Sequence, residues 1–193
     1  MPPKPKFTRE EIVAAALDLV SERGMRALTS RDLAARLGSS PRPIFTVFKN
    51  MGELQDEVRN AALRRFEEFA KKPSDYKPEF KRFGMQMIHF AIEEPKLYQL
   101  LYMTESGVPK SFDDLFARLG GVAETSIGVI EADYGLTSEE AKLLFRQMWI
   151  YTFGIGALCA AGACSFAEEG ISEMLSRAFL GTMMLLKSGK QGE

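Results

Sequence analysis

Helix punctuation constrains this chain more than any other feature. Thr8 stands three residues before Glu11, Thr29 before Asp32, Asn50 before Glu53 and Thr137 before Glu140. At that spacing the first side chain takes an amide hydrogen of the opening turn, and the acid can reach back to the cap's own N–H. Asp32 is a less usual partner than Glu because its side chain is shorter. Behind each signal runs an apolar stripe of helical period: Ile12, Ala15, Ala16, Leu19 and Val20, then Leu33, Ala34 and Leu37, then Leu54, Val58, Ala61, Ala62 and Phe66. Gly24 and Gly38 follow the first two stripes, Gly24 as an expected left-handed cap. Ser39 or Ser40, with Pro41 at the first helical position, predicts a further short helix burying Ile44 and Phe48. The four segments are about fifteen, nine, eight and twenty residues long, the last ending near Lys72 before Pro73. A joint of a few residues around Gly38 gives the outline of a helix-turn-helix in a small helical head. Further helices are predicted over about 76–94, 97–106, 112–134, 141–164 (capped by Thr137) and 171–187. The fold class is therefore all-α: an N-terminal three-helix head followed by a helical body.

Charge separates the two parts. Residues 1–50 carry nine basic and five acidic groups, while the remainder carries 16 basic and 21 acidic ones. A basic head on an acidic body directs only the head toward a polyanion. Two cysteines make no disulfide framework, and the reducing cytoplasm is the expected compartment. Cys159 and Cys164, five apart, fall about 140° apart around a helix, so packing is their expected role. One histidine and two cysteines leave no metal ligand set. No nucleophile–histidine pair or phosphate loop stands out, so neither enzyme activity nor a cofactor is expected.

From Phe7 to about Leu54 the sequence resembles the DNA-binding domain of TetR-family transcriptional regulators. A first helix ending in ERG, the run TSRDLAARLG, a short third helix and a closing F-x-N-x-x-E-L carry the likeness. Three prolines and two lysines make residues 1–6 a flexible tail, and the resemblance implies a DNA-binding head over 7–54 with a connecting helix to about 72, and an effector-binding and dimerisation body over 73–193. It also implies a homodimer that represses transcription from a double-stranded, palindromic operator until a small molecule binds the body. Carried over residue by residue, Thr29, Ser30, Arg31, Ser40, Arg42, Pro43, Thr46, Val47, Lys49 and Asn50 become the expected DNA contacts. Arg42 has the fork that pairs with guanine in the major groove, and the start of the second helix can donate to phosphate. Lys4 and Lys6 can reach along the backbone. The chain departs from the family at Phe45, where a tyrosine is common, at Val47, where a histidine is common, and at Met51, where a lysine is usual.

In the body, aromatics and methionines are the material of adaptable apolar pockets. Met87, His89, Phe90, Tyr98, Tyr102, Met103, Phe116, Trp149 and Phe153 are the candidates for a hydrophobic or aromatic effector. The last two helices of the resemblance form the dimer, which points to Ile155, Leu158, Leu175, Phe179 and Met183. The competing reading is a membrane anchor: residues 148–167 contain no charge and meet the length of a transmembrane helix. Their richness in alanine and glycine, within a chain of amphipathic helices, favours a buried helix and no membrane.

Overall fold

The computed structural model describes residues 6–103, 111–114 and 121–188, and all regular structure among them is helical. The chain divides into two compact units. The first is Met1–Lys71 with Glu94–Thr104, and the second is Lys72–Glu93 with Glu105–Glu193.

The first unit is built on α1 (Arg9–Arg23), α2 (Ser30–Arg36) and α3 (Met51–Ala70). Thr8 and Glu11 make the full reciprocal cap of α1. Thr29 accepts from the Asp32 amide at 3.1 Å, but Asp32 does not reach back to the Thr29 N–H. Its carboxylate takes the Thr29 hydroxyl instead. Gly24 ends α1 at φ 80°, ψ 167°. This corrects the left-handed helical cap expected there: the conformation is an extended one at positive φ, open essentially only to glycine. Gly38, at φ 60°, is the true left-handed residue. Its N–H bonds Ala35 O at 3.1 Å and the Ser39 N–H bonds Ala34 O at 2.9 Å, a Schellman stop.

After that stop, the expected eight-residue helix is only a 3-10 turn, Ile44–Thr46. The N–H groups of Ile44, Thr46 and Val47 bond three residues back, to Pro41, Pro43 and Ile44. Pro43 disfavours helical backbone at Arg42 just before it, which interrupts the first turn of an α-helix. The apolar reading of the segment holds nonetheless. Ile44 and Phe48 are each 1% exposed, and burial of such side chains stabilises by roughly 1.5–3 kcal/mol apiece.

A short helix, α4 (Glu79–Glu93), lies in the second unit, while α5 (Pro95–Tyr102) joins the first. The segment 94–104, expected within the body, thus clusters with the head. Glu94 accounts for this: its carboxylate accepts from Ser21 of α1 at 2.8 Å and from Arg65 of α3. Tyr98 is fully buried and Tyr102 packs edge-on against Phe66.

The second unit combines α4 with α6 (Gly121–Tyr134), α7 (Ser138–Ala160) and α8 (Glu168–Ser188). Helix α7 is its axis, packing against the other three. It opens with the complete Thr137–Glu140 cap. Met85, Ile88, Ile130, Leu144, Phe145 and Leu175 form the centre of the core. Helix α7 is long and apolar enough to cross a membrane by composition alone. However, the uncharged run 148–167 is not one helix. It ends at Ala160, and Gly162 turns the chain at φ 67°. Its helical part rises only about 20 Å, short of a ~30 Å hydrocarbon core. Ala141, Leu144, Phe145, Met148, Thr152 and Ile155 are moreover buried. The body helix expected over 112–134 is described at 112–114 and from Gly121, with 115–120 outside the described residues.

Candidate nucleic-acid interface

The head sorts its cations by partner. Arg9 donates to Glu53 at 3.0 Å and Glu57 at 3.1 Å, and its guanidinium lies 4.4 Å from the centroid of the Phe48 ring. Arg36 makes a two-pronged bond to Glu22 at 2.6 and 2.7 Å. Arg23 approaches Asp32 at 3.8 Å. These charges are spent on the fold. Bonding to Arg36 holds the Glu22 carboxyl below its ordinary range and raises Arg36 in turn.

Arg26, Arg31, Arg42 and Lys49 are exposed, and among the described residues their side chains have no carboxylate partner. Lys6 Nζ bonds only a hydroxyl, Ser39 Oγ, at 3.0 Å, immediately after the Gly38 stop. Arg31 belongs to α2, Arg42 precedes the 3-10 turn, and Lys49 follows it. The unspent charge therefore brackets the joint and the turn. Unneutralised cations on such an element are what phosphate oxygens and guanine edges require.

Local bonding refines the expected roles. Asn50 caps α3, accepting from the Glu53 amide at 2.9 Å, so its carbonyl oxygen is engaged and its NH2 group remains. Glu53 Oε2 takes the Lys49 backbone N–H at 2.7 Å, and the Lys49 ammonium acts on that carboxylate only through its charge, with no ion pair formed. That amide bond and the Arg9 bond keep the Glu53 carboxyl below its ordinary range. Thr46 donates its hydroxyl to Pro43 O at 2.6 Å, which leaves its methyl and its lone pairs for a ligand. The Thr29 hydroxyl is given to Asp32. Ser40 is exposed, while Ser30, Pro43 and Val47 are half-buried. Phe45, where the resemblance led to expect a tyrosine, is 44% exposed beside them. Lys4 lies outside the described residues.

Residues 12–58 match the family described as bacterial regulatory proteins, tetR family. The tetracycline repressor protein class C of Escherichia coli is 40% identical over 58 residues, 30% of this chain and 26% of that repressor. Over these residues the head is similar to that of TetR-family regulators. The match thus spans about a quarter of the length of this curated relative. For the whole chain the likeness is one of fold. A TetR variant of Acinetobacter baumannii AYE, in complex with minocycline, has a TM-score of 0.62 at 21% identity, over 94% of this chain and 99% of that one. A TetR-like transcriptional regulator from Rhodococcus sp. RHA1 has a TM-score of 0.61 at 17% identity, over 96% and 97%.

The second unit of this TetR-like fold has a partly open cavity of about 280 Å³. Phe80, Phe83, Met87, Trp149 and Phe179 supply aromatic and sulfur surface, and Lys81, Thr152 and Ser176 supply polar groups. Of the residues expected to meet an effector, Met87 and Trp149 are in this wall. Phe153 stacks on Trp149 at 5.2 Å without lining the cavity, and His89 sits edge-on to Tyr76 at 6.0 Å. Phe90 is fully buried. Tyr98, Tyr102 and Met103 belong to the first unit, and Phe116 lies outside the described residues. Burial drives the Tyr102 hydroxyl upward, with Glu67 adding to it.

Phe179 illustrates what sequence reasoning missed. Expected at a dimer interface, it contacts Phe80 and Tyr134 of its own chain and lines the cavity. Ile155, Leu175 and Met183 are likewise turned into the core. The spacing of Phe80, Phe83 and Met87 was the available signal on α4, but only the pairing of α4 with α8 shows what faces it.

Of the five residues expected at the interface, Leu158 alone is exposed, at 43%. With Ile150 and Tyr151 it forms an outward stripe on α7, matched on α8 by Leu180, Met184 and Leu185.

Proposed function

We propose that this chain is a cytoplasmic, homodimeric transcriptional repressor that binds a palindromic operator and leaves it when a small apolar molecule occupies the body cavity. The observation carrying the reading is the set of unpaired cations around α2 and the 3-10 turn, while Arg9 and Arg36 are neutralised. A surface that serves only solubility has no reason to segregate its charge in this way. A single turn contacts few base pairs, so the reading requires two copies related by a two-fold axis. The outward stripes of α7 and α8 suit that pairing. Met184 and Leu185 are 72% and 74% exposed in one chain, and Gly154 and Gly181 beside the stripes leave open space for close helix approach. A protein of the same fold holds minocycline, which supports a small molecule as the signal. Effector binding then favours one of two arrangements of the paired heads, by its difference in affinity for the two.

The test is titration of the protein into labelled duplex DNA from around its own gene, read by anisotropy against a random duplex. Selective binding that weakens steeply with salt supports the reading. Binding equal to that of random DNA on every segment, distant candidate operators included, overturns it.

A further inference from the structure

The acid–base balance of the body cavity is one-sided, and this says what kind of molecule it takes. Lys77 and Lys81 line it, and among the described residues no aspartate or glutamate does. Lys81 is half-buried. Its Nζ donates to Ser172 Oγ at 2.7 Å and to Ser176 Oγ at 3.0 Å, both neutral. Ser176 spends its own proton on Ser172 O at 2.9 Å, so it meets Lys81 purely as an acceptor. An ammonium has three donors, and these serines use two.

Several carboxylates of this unit have partners of their own. Glu79 pairs with Arg82, Glu173 with Arg177 and Glu93 with Lys72, and Glu168 accepts the Tyr76 hydroxyl. Among the described residues no carboxylate pairs with Lys77 or Lys81. A second unspent donor sits in the same wall: Trp149 Nε1 is buried and has no hydrogen-bond partner among the described residues. The rest of the lining is apolar, from Phe80, Met87, Phe145, Leu175 and Phe179.

We infer that the effector is an organic acid of modest size, its aryl or alkyl part among these side chains and its carboxylate on Lys81. The inference rests on the reading of the cavity as a small-molecule site and names the class of molecule. A carboxylate neutralises the ammonium through a charge-assisted hydrogen bond, where a neutral ligand leaves the charge facing an apolar chamber. An amine places like charge beside two lysines. At ~30 Å³ for each water-sized group, 280 Å³ admits roughly ten such groups, the scale of a phenyl ring with a short acid arm.

Three probes of one skeleton test this: 3-phenylpropanoate, 3-phenylpropanamide and 3-phenylpropylamine. Each is titrated into the full-length protein by calorimetry, with the fluorescence of the single tryptophan, Trp149, as the local reporter. The acid is expected to bind about tenfold or more tighter than the amide, with the amine weakest. Lys81→Met should bring acid and amide to equal affinity, and Lys81→Arg should retain the preference. Equal affinity of acid and amide for the unaltered protein overturns the organic-acid inference and leaves the cavity reading standing. Binding of none of the three overturns both. A preference for the acid that survives Lys81→Met overturns the assignment to Lys81.

Discussion

Replacing Lys49 by Ala tests the separation of free from spent cations most directly. The Lys49 ammonium forms no ion pair among the described residues and feels Glu53 only through its charge, while its backbone N–H, bonded to Glu53, is untouched by the change. The α3 cap should therefore survive, and only one charge per chain is lost. If each Lys49 neutralises one phosphate, a dimer loses two contacts. The slope of log K against log salt then becomes shallower by about 1.8, at ~0.9 per phosphate. Between about 50 and 200 mM salt, the affinity ratio of variant to wild type should thus change by about tenfold. Arg36→Ala is the control. That guanidinium is already held by both Glu22 oxygens, so its removal should leave the slope nearly unchanged. Both are measured by anisotropy on one operator duplex over a salt series. A slope lowered equally by Arg36→Ala and Lys49→Ala would refute the argument that pairing decides which cations meet DNA.

Three further outcomes follow from the same geometry. Gly38→Ala should destabilise the head by about 1 kcal/mol, the cost of a Cβ in the left-handed region, and Gly38→Asn by less. Because nothing lies within 4 Å of the added carbon, the cost is conformational, and equal protection of α2 amides in hydrogen exchange for wild type and Ala variant would contradict it. Met184→Glu with Leu185→Glu should yield folded monomers in analytical ultracentrifugation, with unchanged circular dichroism and weakened operator binding. A variant that stays dimeric would move the interface elsewhere. For Glu53, bonding to the Lys49 amide and then to Arg9 lowers the folded carboxyl below its unfolded value. Its contribution to head stability is therefore full above the unfolded carboxylate pKa and fades as pH falls through the folded one. Glu53→Gln should flatten that part of the acid unfolding profile, and an unaltered profile would show that the bonds stabilise nothing.

How much was legible beforehand depended on the range of the interaction. The caps at Thr8, Asn50 and Thr137 are decided by residues three apart, and each stands where its spacing predicts. The burial of Ile44 and Phe48 needed only the i, i+4 relation. The 3-10 turn follows from a local signal: one proline suits a first helical turn, but a second at Pro43 disfavours helical backbone at Arg42 before it. Gly24 was recognised as a stop, but the conformation it adopts depends on the chain beyond it.

Pairing across the fold was beyond the sequence. Arg9 and Arg42 are both arginines in a basic head, and composition treats them alike. Arg9 finds its partners 44 and 48 residues away and Arg36 finds Glu22 14 residues back, so those two are withdrawn from any ligand by tertiary contacts. The same holds in the body. Lys81 on α4 bonds Ser172 and Ser176, while Glu79 and Glu173 pair with Arg82 and Arg177 and Glu168 accepts the Tyr76 hydroxyl. At both places the functional charge is the remainder after the fold's own pairs are made. A count of basic residues therefore overstates the reach of the head, while the residues that escape pairing, Arg31, Arg42 and Lys49 there and Lys81 in the body, are the ones whose loss should change what this protein binds before it changes how it folds.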